Sequence, residues 1–326
     1  MCQPPGSKAL LYAAAMGVAL TGCAHPVDAD PLNVPAPVTP VVVPATCTHA
    51  NSSMNVVAHE DDDILFVNPA TDTDVAGGRC VTTVYLTAGD DGRSASYWHG
   101  REDGAMAAYA EMAGIRNAWT TTRLRTASGQ AVVTRTLNGT GIRLIFLRLP
   151  TGSPGGRAAN HYQSLSKLHA GTIPTVSAVD GTATYTSASL RATLTGFMTT
   201  FQPSVVRTLD YTDPYGDGDH TDHHNAAYYT FEAQRKYTTA HHLQGFRGYP
   251  MTRLPANQPD AVAARKLAIF LAYSAHDPRT CQTAGACRQN TRYWTWMSRS
   301  YQVSGPPAPI VGTARTQLDS PLPRWP

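Results

Sequence analysis

The chain has 326 residues, of which 42% are hydrophobic and 15% charged, and carries a formal net charge of +3. That length holds one large domain with a buried core or two small ones, and the composition excludes a chain disordered throughout. No stretch gathers Lys and Arg among interleaved aromatics, so nucleic acid is not expected as a partner.

Lys8 precedes an apolar run at residues 9–20. The run is too short to cross a bilayer as a stable helix and reads as a signal peptide. It ends in Leu20-Thr21-Gly22-Cys23, which resembles a bacterial lipobox. The resemblance implies lipidation of Cys23, cleavage that leaves Cys23 first, and a protein exported and lipid-anchored to the cell envelope, at the outer membrane if the organism has two. The alternative is a plain secretory signal with a chance cysteine. Residues 1–23 are therefore read as the signal, and 24–46, where Pro recurs among Val, Ala and Asp, as an extended tether. Residues 47–304 are read as one folded domain, and 305–326 as a second Pro-rich segment that wraps the surface or moves. With Cys2 and Cys23 set aside, Cys47, Cys80, Cys281 and Cys287 remain. In an oxidising compartment Cys281 pairs with Cys287 across a short loop and Cys47 with Cys80 by elimination. Zinc binding by these four is the competing reading, but no C-x-x-C pair is present.

Within the folded part, residues 54–58 form a short apolar run leading into His59-Glu60-Asp61-Asp62-Asp63. Residues 81–86 form a β-branched run leading into Thr87-Ala88-Gly89-Asp90-Asp91-Gly92. Both read as strands ending in polar loops. Met106, Tyr109, Met112 and Ala113 fall at helical spacing, with Gly114 where a left-handed C-cap belongs. Residues 142–149 are a further strand, preceded by a hairpin or edge strand at 131–136. Leu190, Leu194, Phe197, Met198 and Phe201 mark a helix that Pro203 closes before the apolar run 205–209. The next loop carries the histidines, a helix is expected over 225–237, and Val262, Lys266, Ile269, Phe270 and Tyr273 mark another. Strands alternating with helices predict an α/β fold with a mainly parallel sheet covered on both faces. In such a sheet ligands bind beyond the strand carboxyl ends, so the clusters following 54–58 and 205–209 can meet there.

The first cluster puts an imidazole and four carboxylates within one turn of chain, which asks for a cation. The second, Asp217-Gly218-Asp219-His220-Thr221-Asp222-His223-His224, adds imidazoles beside carboxylates, the ligand set of zinc rather than calcium. Taken singly, a solvated acidic turn and a polar loop would explain them.

Ala58-His59-x-Asp61-Asp62 with a distant His220-x-Asp222-His223 resembles the PIG-L/LmbE family of zinc-dependent de-N-acetylases. Leu86-Thr87-x-Gly89, Arg101-Glu102 opening the next helix, and Pro203-x-Val205-Val206 extend the resemblance. It implies a Rossmann-like α/β sandwich, a mainly parallel sheet with helices on both faces, and a site at the strand carboxyl ends. Position by position it makes His59, Asp62 and His223 the metal ligands and Asp61 the general base. Three protein ligands leave room for a water, whose pKa zinc lowers to roughly 7. A protonated His220, oriented and charged by Asp222, would steady the oxyanion, and Arg101 would contact the sugar. The implied cofactor is Zn2+, with Fe2+ also compatible. The implied substrate is an N-acetylglucosamine-type sugar or polysaccharide, which releases acetate. Two positions depart from the family pattern: Glu60 stands where proline is usual and Asp63 where glutamate is. A histidine and glutamine usual near the C-terminal helix are not cleanly present around 273–277.

Blander readings attach to other residues. His241 and His242 are adjacent and diverge, His276-Asp277 reads as structural, His224 yields to His223, and Tyr293, Trp294 and Trp296 read as packing beneath the tail rather than a sugar platform. Two other functions compete. His59-x-Asp61 with His223 also matches the facial triad of non-haem Fe(II) oxygenases, although those use all-β jelly rolls. A surface carbohydrate-binding protein without turnover would be expected to lose Asp61 or a ligand first.

Overall fold

The computed structural model describes residues 46–307. The signal, Cys23, the tether as far as residue 45 and the tail beyond 307 lie outside the described residues. Strand β1 (Ser52–Val57) leads through a π-helical turn at Asp63–Val67 to helix α1 (Ala70–Ala76). Then come β2 (Cys80–Thr87), α2 (Ala95–Ala113), β3 (Trp119–Arg125), β4 (Ala131–Leu137) and β5 (Arg143–Leu149). Helix α3 (Leu165–His169), the small hairpin β6 (Val176–Ser177) and β7 (Thr184–Tyr185), and α4 (Ser187–Phe201) precede β8 (Val205–Leu209) and α5 (Thr221–Gln234). The last elements are β9 (His242–Phe246), α6 (Asp260–Ser274), α7 (Ala284–Gln289), α8 (Thr291–Met297) and β10 (Gln302–Val303).

The main sheet runs β10-β9-β8-β1-β2-β5-β4-β3. Its five inner strands, β9 to β5, are parallel, and β10, β4 and β3 join antiparallel at the edges. Side chains alternate across it with period two. Met54, Val56 and Ala58 pack with Leu194 and Phe197 of α4 and Tyr229 of α5. Val57, on the opposite face, joins Tyr109 of α2 and Leu267 and Phe270 of α6. Each such side chain contributes roughly 1.5–3 kcal/mol when fully buried. The sheet is thus held from both sides, which explains why its inner strands read as near-continuous apolar runs.

Three helix boundaries bear on the site. Gly114 caps α2 in the left-handed region, as its spacing predicts. Helix α2 begins at Ala95, so Arg101 lies inside it rather than at its start, because Trp98 is already part of the buried face. Helix α5 begins at Thr221, not at Asn225: His220 is its N-cap and accepts a hydrogen bond from the Asp222 amide, which draws the histidines into the first turn. Histidine is outside the usual N-cap set, so this start carries no ordinary sequence signal. The cysteines form two bonds, Cys47–Cys80 and Cys281–Cys287.

Candidate metal centre

The chain after β1 turns sharply at His59. The Asp62 carboxylate accepts the amides of Ala58 at 3.1 Å and His59 at 2.7 Å through Oδ2, which closes the turn and leaves Oδ1 facing outward. Parallel pairing of β1 with β8 brings the start of α5 opposite this turn. His223 Nε2 lies 3.0 Å from Asp62 Oδ1, and His59 Nδ1 lies 3.3 Å from Asp62 Oδ2. The three rings of His59, His220 and His223 have centroids 4.8–5.4 Å apart.

Two overlapping groups can surround one cation: His59, His220 and His223, and His59, Asp61 and Asp62, with ligand atoms in each group within 4.8 Å of one another. His59, Asp62 and His223 come together, and His220 stands at the same site, near enough to be a ligand as well as a donor to the oxyanion. The donor set fits a borderline divalent metal. Nε2 of His59 and Nε2 of His223 are buried without a well-formed hydrogen bond, resting only against the carboxylates of Asp222 at 3.5 Å and Asp62 at 3.0 Å, and a bound cation would satisfy both. Burial pushes the Asp62 carboxyl up, but His223 and His59 outweigh it and hold the group well below its usual range. Burial pulls His223 down, and Asp62 and Asp219 more than reverse that, leaving it raised.

Behind the ring of His223, Asp219 Oδ1 accepts from Nδ1 at 2.7 Å and also from the amides of His220 at 2.9 Å and Tyr249 at 3.1 Å. That bond fixes Nδ1 as the protonated nitrogen and turns Nε2 toward the site. Tyr249 and Phe66 close the apolar wall against His223, with ring centroids 4.9 and 5.5 Å away. Sequence reasoning assigned no role to Asp219, although it stands four residues before His223 on what becomes the same turn.

Asp61 and His220 retain 18% and 20% side-chain exposure against 1% for His223, so they face the cavity while His223 faces inward. Asp61 Oδ1 accepts from Arg101 Nη2 at 2.7 Å. The other donors of Arg101 go to the Gly89 carbonyl at 3.0 Å and Tyr273 Oη at 2.8 Å, and Tyr273 in turn donates to Asp277 at 2.9 Å. Asp277, read from sequence as structural, therefore buttresses the site through Tyr273. Gly89 has φ +58°, and a side chain there would collide with both the Glu60 carboxylate and the Arg101 guanidinium. Glu60 is fully buried beside Arg101, 3.3 Å from its Nε, and burial pushes its carboxyl up to about 8 against the pull of that charge. Asp63 points the other way, into the helix-covered core, where Tyr109 donates to it at 2.6 Å and Tyr85 at 3.2 Å.

The contact between His220 and the Asp222 carboxylate is a loose one. His220 Nδ1 accepts the Asp222 amide at 3.1 Å, while the Asp222 carboxylate is 3.7 Å away and nearer to His59, at 3.5 Å from its Nε2. Burial pulls His220 down to about 4 against the charge of Asp222, with His59 and His223 adding to the downward pull. Nδ1 of His220 is taken up as an acceptor, which leaves Nε2 as its donor nitrogen. His224 turns away, 3.0 Å from Asp217, and His241 and His242 lie on and before β9. Trp296 is buried against Phe66 and Tyr249, and Tyr293 lines the cavity mouth.

Fold and cluster together define a Rossmann-like α/β protein whose strand-end crevice can hold a divalent metal. The sequence matches the family model described as PIG-L, GlcNAc-PI de-N-acetylase, over residues 54–234, more than half of the chain. The chain belongs to that family, one of hydrolytic de-N-acetylases. No curated protein matches it. Among solved structures it is similar to GalB, the 4-carboxy-2-hydroxymuconate hydratase from Pseudomonas putida, at 16% identity, 74% of this chain, 88% of that one and a TM-score of 0.39. It is also similar to the conserved protein TT1542 from Thermus thermophilus, at 16%, 79%, 95% and 0.41. The A40926 pseudoaglycone deacetylase Dbv21 follows at 14%, 73%, 89% and 0.41. Likenesses this distant carry no argument about activity.

Proposed function

We propose that this protein hydrolyses the acetamide of an N-acetylglucosamine-type sugar or glycan with a divalent metal, zinc by preference, held by His59, Asp62 and His223. The observation that carries the reading is the pair of buried Nε2 atoms without a well-formed hydrogen bond, that of His223 against Asp62 and that of His59 near Asp222, with the exposed edge of Asp61 at the same cavity. Bound there, zinc supplies Lewis acidity and a water of pKa roughly 7. Asp61, steadied by Arg101, takes the proton of the attacking water as general base and returns it to the sugar nitrogen as the C–N bond breaks, releasing acetate and the free amine. His220 donates a hydrogen bond from Nε2 to the carbonyl oxygen as negative charge gathers on it, and the Asp222 amide bonded to Nδ1 keeps that donor fixed. Asp222 steadies the start of α5 and lies beside His59. Arg101 lines the cavity and contacts the sugar through the guanidinium N–H groups left over from its bonds to Tyr273, Gly89 and Asp61. Tyr249, Phe66 and Trp296 keep water from the back of the site.

The test is metal analysis of the purified protein together with acetate release from N-acetylglucosamine oligomers. Asp61→Ala should keep its zinc and lose activity by roughly 10²–10⁴-fold, the usual weight of a general base. His223→Ala should lose the metal. A fully active Asp61→Ala enzyme would refute the mechanism, and oxidant-dependent turnover without acetate would refute the reaction class. We also propose export and anchoring through Cys23. Two disulfides support an oxidising compartment. Recovery of a Cys23→Ser form in the soluble fraction, with the parent in membranes, checks it.

A further inference from the structure

The strands of the main sheet share one amino end. Ser52 of β1 pairs with Cys80 of β2, and Val205 of β8 pairs with Ser53 of β1 and His242 of β9, so the segments leading into these four strands lie side by side. Trp119 pairs with Leu137, and the Asn138 amide donates to the Ala118 carbonyl at 3.0 Å, which joins the α2–β3 loop to the β4–β5 turn. That turn reaches the same end, because a side chain on Gly141 would strike the sulfurs of Cys47 and Cys80. The metal centre stands at the opposite end, just past the close of β1. The first described residues are held at the amino end too, Cys47 by its bond to Cys80 and His49 by the Gln202 carbonyl, 3.0 Å from its Nδ1. The chain towards Cys23 therefore departs from the pole away from the cavity. This pole is basic. Arg116 in the α2–β3 loop, and Arg235 and Lys236 at the close of α5, are exposed and make no ion pair with any described residue. The acids in the last turns of α1, α2 and α5 are taken up, Asp74 by Arg79 and Arg207, Glu111 by Arg265 and Glu232 by Arg191. Beside Arg116, Ile115 is 43% exposed, one of two exposed large hydrophobic residues among those described. The other, Tyr162, belongs to the loop that lines the cavity with Ser153 and Arg157.

Resting on the anchoring proposed above, we infer that the amino end of the sheet is a docking surface for an anionic phospholipid bilayer, and that the cavity opens on the side away from that bilayer. Arg116, Arg235 and Lys236 meet the lipid phosphates, and Ile115 enters the interface. Each cation beside such a surface is worth about fivefold, so the three together favour the docked state by roughly a hundredfold. That is little for a free protein. Attachment makes the encounter intramolecular, so the same preference then decides how the domain stands on the membrane. A glycan reaches the metal centre from the aqueous side, not from the headgroups of the bilayer that carries the chain.

Fluorescence quenching by spin-labelled lipid headgroups tests this on the chain from residue 24 onward, joined at its amino terminus to a synthetic diacyl lipid. The result then does not depend on acylation of Cys23, which the Cys23→Ser fractionation tests separately. One fluorophore is placed at the basic pole through Thr238→Cys and another at the cavity end through Tyr162→Cys, both at exposed positions. On phosphatidylcholine vesicles containing phosphatidylglycerol, at low ionic strength, quenching at 238 should exceed that at 162 several-fold. On phosphatidylcholine alone, or at about 0.5 M salt, the excess should shrink to the bias of the attachment point itself. Arg116→Gln/Arg235→Gln/Lys236→Gln should shrink it in the same way. Arg93→Gln/Arg253→Gln/Arg279→Gln, equal in charge and exposed at the cavity end, should leave it intact. An excess no larger with phosphatidylglycerol than without it overturns the proposal. So does one that survives the first triple substitution or is lost in the second.

Discussion

Replacing Asp219 tests how the second histidine is presented to a metal. One oxygen of Asp219 accepts from His223 Nδ1 and from the amides of His220 and Tyr249, at 2.7, 2.9 and 3.1 Å. Alanine leaves one buried and two part-buried donors unpaired, at roughly 1–3 kcal/mol for the buried one and less for the others, which entering water can reach. Asparagine is the sharper probe, because it keeps an acceptor oxygen and removes only the charge. A carboxylate behind a ligating histidine typically carries 10–100-fold in metal affinity. Asp219→Asn should therefore weaken zinc binding about tenfold, and Asp219→Ala by up to about a hundredfold if it folds. Competition against a chromophoric chelator at fixed pH reads the affinity, and circular-dichroism melts of the same samples read stability. If Asp219→Asn binds zinc as tightly as the parent while remaining folded, the carboxylate is only a cap for α5 and the argument fails.

Two further predictions concern stability. Cys47–Cys80 spans 33 residues and Cys281–Cys287 spans 6, so removing the first should cost roughly 4 kcal/mol and the second roughly 2 on loop-closure grounds. Denaturant midpoints of the two double-serine variants check the order, and equal losses would contradict it. Lys266 is buried and donates to the carbonyls of Leu65, Trp296 and Arg299 at 3.0, 2.8 and 2.7 Å, and burial pulls its ammonium down to about 7. With the folded value below that of the unfolded chain, the unfolded state binds more protons between about pH 7 and 10.5. Stability from this group therefore rises with pH across that window and is level below it. Melting of the parent should gain on Lys266→Met between about pH 7 and 9.5. A constant difference would mean that the three carbonyls hold the charge as well as water does.

Much of the architecture was legible because its signals are local. Residues 54–58 and 205–209 announce strands by composition, Gly114 announces a helix end, and Leu190 to Phe201 repeat at helical spacing. The edge strand β3 was not legible, because its Thr-rich segment is half exposed and takes its order from pairing with β4. The start of α5 was hidden for a related reason: an N-cap histidine works through one side-chain bond that no periodicity encodes.

The sequence by itself determined the metal-binding chemistry on offer, since His59, Asp61, Asp62, His220 and His223 are a donor set wherever they sit. Tertiary structure alone decided how that set divides. Pairing of β1 with β8 put Asp62 between two histidines, and helix capping committed Nδ1 of His220 as an acceptor. Packing of α2 against α6 delivered Tyr273 to Arg101, and through it a fixed Asp61. The physical reason is range. Ligand type is a property of single residues, but burial, tautomer and charge compensation depend on neighbours as distant as 172 positions along the chain, the separation of Tyr273 from Arg101.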